Sequence, residues 1–156
     1  MENSIKGLLE LLQELYVGTN TNESWVIDAK PGHGFTAAID TINAEQASTP
    51  IVKGGSTIAA HTEHLRWSLL FAMEFYKGNR PSSDWKESWK IHQVTEEEWT
   101  KLREDLLEAY LMVRDAIEKI QDWSHEYLWK GTLALLPHAA YHLGAVKQMM
   151  LVIKEH

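Results

Sequence analysis

The stretch Thr95–Gln121, TEEEWTKLREDLLEAYLMVRDAIEKIQ, decides the fold class. It opens with a capping box: Thr95 stands at the N-cap, and Glu98, three residues on, can reach back to the Thr95 amide. Trp99, Leu102, Leu106, Tyr110, Val113, Ile117 and Ile120 then recur at helical spacing, leaving Glu104, Asp105, Glu108 and Arg114 for the margins and outer face. The pattern predicts one long amphipathic helix, with no Gly or Pro to break it.

Helical periodicity continues on both sides of that stretch, and no alternating strand pattern competes with it. Upstream, residues 4–17 place Ile5, Leu8, Leu9, Leu12, Leu15 and Tyr16 on one stripe, ended by Gly18 and the polar TNTNES. A turn-forming segment, DAKPGHG, precedes a short helical stretch at about 35–46, which stops before Pro50, so the first arm is interrupted near 18–34. From Thr57 to Tyr76 another long helix is predicted, closed by KGNRP. Downstream, a final helix is predicted from near Leu133 to Lys154; Pro137 implies either a later start or a distortion one turn ahead of His138. The expectation is an all-α chain, residues 1–156, folding as a single four-helix-bundle domain.

Composition narrows the function. With 15 Lys and Arg against 22 Asp and Glu, the formal net charge is -7, which argues against nucleic acid as a partner. No apolar run approaches the roughly 20 residues needed to span a bilayer, and the start is not signal-like, so a cytoplasmic location without membrane association is expected. There is no cysteine, which leaves His, Asp and Glu as the strong metal ligands.

Among the eight histidines, His138 and His142 stand four apart on the apolar final helix, and such a pair stacks on one helix face. Random placement would give roughly 0.4 such pairs, so the spacing alone is weak evidence for a metal. His61 and His64 add a second pair on the Thr57–Tyr76 helix. If the stripe Ile58, Ala60, His64, Trp67 and Phe71 faces inward, His64 points to the interior and His61 lies toward its margin; geometry leaves open whether His61 replaces or assists His64. The alternative is a set of core histidines with protein partners, each ring needing hydrogen bonds at two nitrogens.

STIAAHTEHLRWSL at 56–69, DWKESW at 84–89, EEEWTKLREDL at 96–106 and HAAYHLGAVKQM at 138–149 together resemble the DinB/YfiT-like superfamily, from about Gly32 onward. The resemblance implies a four-helix bundle, commonly dimeric, with a divalent metal held by His64, His138 and His142. It implies further a metal-dependent enzyme acting on a small molecule, either a thiol-dependent S-transferase using a low-molecular-weight thiol or a hydrolase. A non-catalytic metal-binding stress-response module is the alternative from another class. Zn and Ni lead as the metal, although imidazole also suits Cu and Fe.

Candidate general bases are Glu63, Glu108, Asp115 and His33, each with a competing reading as a solvated charge or a loop residue. Tyr141 could donate to an oxyanion or simply pack. Trp85 and Trp89, four apart, are expected to plug one end of the bundle, with substrate stacking as the alternative.

Overall fold

The computed structural model describes residues 2–19, 21–30, 32–82 and 84–154. Asn20 in TNTNES and Pro31 in DAKPGHG lie outside the described residues. The described residues contain six α-helices and no strand: α1 (Glu2–Tyr16), α2 (Phe35–Ile39), α3 (Ala44–Ala47), α4 (Ile58–Tyr76), α5 (Glu96–Lys119) and α6 (Glu126–Lys154). A 3-10 turn, Glu87–Trp89, lies between α4 and α5.

The four long helices pack as a bundle. α4 lies against both α5 and α6, while α1 completes the set by packing on the same two helices. The α5 stripe is buried from Trp99 to Ile117, and the capping box forms: the Thr95 amide donates to Glu98 at 2.8 Å and the Glu98 amide to the Thr95 hydroxyl at 3.2 Å. Deep in the core, the Tyr16 and Tyr110 rings stack at 5.0 Å, and the Trp99 indole donates to the Ile42 carbonyl at 3.0 Å.

The interrupted first arm has a local cause. Gly18 adopts φ +114°, which ends α1, and a Cβ on Gly34 would lie 2.3 Å from the Val17 carbonyl carbon, so α2 can approach the end of α1 only through glycine. The predicted 35–46 helix is in fact two short pieces. Residues 40–43 break it, and Asn43 caps α3 with its own capping box, the Asn43 and Gln46 side chains bonding each other's backbone amides.

The final helix departs from expectation at Pro137. It starts at Glu126, seven residues earlier than its apolar pattern suggests, and runs through Pro137 without interruption. Pro137 is exposed, and the carbonyl left without a helical donor belongs to the exposed Leu133, where water can serve instead. The early turns were hidden because they carry Gly131 and mostly exposed or half-buried side chains; Thr132, buried there, returns its hydroxyl to the Leu128 carbonyl at 2.8 Å.

Candidate metal centre

α4 begins where Thr57 caps it: the Ala60 amide donates to the Thr57 hydroxyl at 3.2 Å, and that hydroxyl donates to the His92 carbonyl at 2.9 Å. This ties the segment before α5 to the head of α4 and places His61 and His64 on its first two turns. His138 and His142 occupy successive turns of α6, which packs against α4. The four rings meet.

Three ring nitrogens converge on one point. His138 Nε2 lies 2.9 Å from His64 Nε2 and 3.0 Å from His142 Nε2, and the three residues form a group able to hold a metal ion. Tetrahedral ligands with bonds of about 2.0–2.1 Å sit about 3.3 Å apart, so a few tenths of an ångström of opening would admit an ion. The donor set fits a borderline divalent metal, and three imidazoles leave one position free.

His64 is prepared for this role. The buried Ser88 hydroxyl donates to the Trp85 carbonyl at 2.7 Å, which spends its only proton. The 2.7 Å contact between Ser88 Oγ and His64 Nδ1 therefore has the ring as donor, and a neutral His64 presents a bare lone pair at Nε2.

His61 does not lie at the margin as the stripe suggested; it is 6% exposed, as His64 is, and His142 is 3% exposed. The reason is that the first turns of α4 are covered on every side, from Ile58 through Leu65. His61 Nδ1 contacts His142 Nδ1 at 2.8 Å, and its Nε2 contacts Ser56 Oγ at 2.8 Å. His61 therefore sits behind His142 rather than among the three converging nitrogens.

Burial disfavours charge on all four rings. It pushes His142 down to about 3, with the neighbouring His138, His61 and His64 adding to the effect, and His64 down to about 4, with His138 and His61 adding. His61 and His138 are lowered by burial as well. Neutral imidazole is the form that binds metal.

Aromatic rings roof the cluster. Trp89 stacks on His64 with ring centres 4.2 Å apart and meets the His61 ring edge-on at 5.3 Å. Trp85 and Trp89 therefore do not plug a bundle end: the 3-10 turn folds over α4, putting Trp89 and Ser88 on the histidines. Trp85, 45% exposed, stands 5.9 Å from the His64 ring and packs on Trp67 and Phe71. Beyond it, one turn from His64 and His138, a cavity of about 410 Å³ runs between α4 and α6, lined by Ser68, Phe71, Phe75, Trp85, Tyr127 and Leu135 among others.

The candidate bases lie elsewhere. Glu63 is buried but bound at both oxygens by Arg66, at 2.7 and 2.9 Å. Asp115 accepts from Arg114, and Glu108 is exposed. His33 lines a different cavity, with Asp28 and Lys147. Tyr141 is mostly exposed, its ring edge-on to His142 at 5.0 Å. Sequence reasoning missed Ser56 and Ser88, and the DWKESW motif carried the only signal for Ser88.

No family model, no curated protein and no solved structure matches this chain. What the chain shows is an all-α fold with a buried three-histidine cluster able to hold a metal ion.

Proposed function

We propose that the chain is a metal-dependent enzyme of the DinB/YfiT-like four-helix-bundle type, holding one divalent ion, Zn or Ni, through Nε2 of His64, His138 and His142. The observation that carries this reading is the convergence of three neutral imidazole nitrogens, two of them with the opposite nitrogen already engaged. With three protein ligands, such an ion keeps a position for a substrate and lowers the pKa of a thiol or water placed there.

Transfer of a low-molecular-weight thiol to a small electrophile fits the surroundings better than hydrolysis. Among the described residues no carboxylate joins the cluster, and Glu63, the nearest in sequence, is committed to Arg66. Water attack gains from a positioned base, whereas a thiol bound as thiolate is already a nucleophile. The apolar cavity beside Trp85 would take the carbon skeleton of the acceptor. The exposed apolar side chains, Trp25, Val52, Tyr127 and Leu151 among them, fit the further proposal of a homodimer, which a dimer mass by light scattering at micromolar concentration would support and a monomer mass would refute.

Metal analysis and calorimetry on tag-free protein test the centre. One equivalent of Zn or Ni should bind, and His138→Ala/His142→Ala should bind none while keeping its helical circular dichroism. Unchanged affinity in the double variant would remove the proposal. A screen of thiols against electrophilic acceptors with the loaded protein, read against ester and amide substrates, separates transferase from hydrolase. Loading without any turnover would point to the non-catalytic module.

A further inference from the structure

The contacts around the histidines form one unbroken chain: Trp85 carbonyl, Ser88, His64, His138, His142, His61, Ser56. A neutral imidazole carries one ring proton, and a close N···N or N···O contact needs one proton between its two atoms. These two conditions let the protons be placed one after another.

The Ser88 proton points to Trp85, so His64 carries its proton on Nδ1 and its Nε2 is bare. The 2.9 Å contact from His64 Nε2 to His138 Nε2 must then be filled from His138, which is the Nε2–H tautomer. That same proton faces His142 Nε2 at 3.0 Å, where a second one would collide with it, so His142 Nε2 is bare and its proton sits on Nδ1. His142 Nδ1–H therefore donates to His61 Nδ1, and His61 donates from Nε2 to Ser56 Oγ. The reverse direction, with Ser56 donating to His61, would put a proton on His142 Nε2 and leave the bare nitrogens of His138 and His64 facing each other at 2.9 Å.

From this chain we infer that His61 is a positioning residue, which with Ser56 holds His142 in the metal-accepting tautomer as Ser88 holds His64, and that His138 alone must change tautomer when an ion enters. The inference rests on the metal reading given above for its functional meaning, but the proton pattern stands on the hydrogen bonds. A cation replaces the one proton shared at the centre. That proton passes to His138 Nδ1, which has no hydrogen-bond partner among the described residues and belongs to a half-buried side chain that water can reach. Two ligands are thus set before the metal arrives, and the third supplies the switch.

Long-range proton–nitrogen NMR of the histidine rings at pH 8, where unperturbed imidazole is already neutral, reads the pattern directly. Metal-free protein should show Nδ1–H for His64 and His142 and Nε2–H for His61 and His138; adding zinc should convert only His138. In calorimetry, His61→Leu should keep one zinc per chain and bind it about 10–100-fold more weakly. His61→Gln, whose amide oxygen can accept from His142 while its amide nitrogen donates to Ser56, should recover affinity to within a few fold. An Nε2–H tautomer for His142 in metal-free protein overturns the inference. So does unchanged zinc affinity in His61→Leu, or zinc binding that survives His64→Ala and vanishes in His61→Leu, which would make His61 the ligand. If wild-type protein binds no zinc, the metal reading fails by itself and the metal-free tautomers still decide the direction of the chain.

Discussion

Glu14 and the histidine cluster are both buried polar groups of this bundle, and they are buried in opposite ways. On α1, Glu14 is 4% exposed and its carboxylate accepts from three successive amides: Trp25 at 3.0 Å, Val26 at 2.6 Å and Ile27 at 2.7 Å. Burial pushes its pKa up, but the amides of Ile27, Val26 and Trp25 outweigh that and hold it below the usual carboxylate value. Between α4 and α6, three buried imidazoles and the half-buried His138 meet with no fixed charge to oppose and mostly one another as partners. Glu14 is a finished structure: its negative charge meets N–H dipoles that are present as soon as the loop forms, and the result is a loop pinned to a helix. The histidine cluster is balanced only while its rings stay neutral, and its three converging nitrogens would all be better served by a cation than by one shared proton. The difference separates a polar group whose partners are complete within the fold from polar groups whose arrangement could hold a metal ion.

The contrast is sharpest when each region is removed. His64→Ala, like His138→Ala/His142→Ala, should abolish stoichiometric zinc binding in calorimetry while the metal-free protein keeps its helical circular dichroism and a cooperative thermal transition, because the apolar stripes that hold the bundle remain intact. A collapse of the fold in either variant would mean that the cluster is structural after all. Glu14→Ala should do the reverse, costing about 3 kcal/mol in denaturant unfolding through the loss of three charge-assisted hydrogen bonds, with zinc affinity unchanged.

Acid should separate the two regions along the pH axis. The histidine pKa values are depressed below the ordinary 6.5, so their contribution to stability is complete above pH 6.5 and drains away as the pH falls toward about 4 for His64 and about 3 for His142. Glu14 is depressed from 4.5, so its contribution is intact above pH 4.5 and is lost only below it. Urea midpoints of metal-free wild type should begin to fall below pH 6.5, the fall between 6.5 and 4.5 should shrink in His138→Ala/His142→Ala, and Glu14→Ala should leave that interval unaltered. An identical slope in both variants would erase the distinction.

Ser88→Ala probes the edge of the site. Losing the acceptor at His64 Nδ1 should weaken zinc about tenfold without changing stoichiometry, as expected for a group that orients a ligand. The smallest effect belongs to Glu63→Gln, which breaks a partly buried i, i+3 ion pair with Arg66 and should cost about 1 kcal/mol of stability with no change in metal affinity or in the activity of loaded protein. A large loss of turnover there would restore Glu63 as a base.

Much of the architecture was legible in the residues. The capping box at Thr95 and the apolar stripe from Trp99 to Ile117 specify α5 as a helix by local hydrogen bonding and by a 3.6-residue period that no strand can share. The same period set the relation of His138 to His142, because the helix itself fixes positions i and i+4 on one face. What lies across space was not legible. The stripe of α4 placed His64 inward and His61 at the margin, but three residues of separation leave both near one face and the choice open; it was made by α6, which brings His142 against His61 Nδ1 and turns His138 toward His64 Nε2. Pro137 broke a local rule without consequence because it falls on the solvent side of α6, a fact of packing rather than of sequence. Ser88 and Trp89 reached the histidines only because the 3-10 turn folds back over α4. Backbone period and capping act over one or two turns and can be read along the chain; the tautomer and partner of a buried ring depend on atoms tens of residues away, and only the assembled bundle brings them within hydrogen-bond reach.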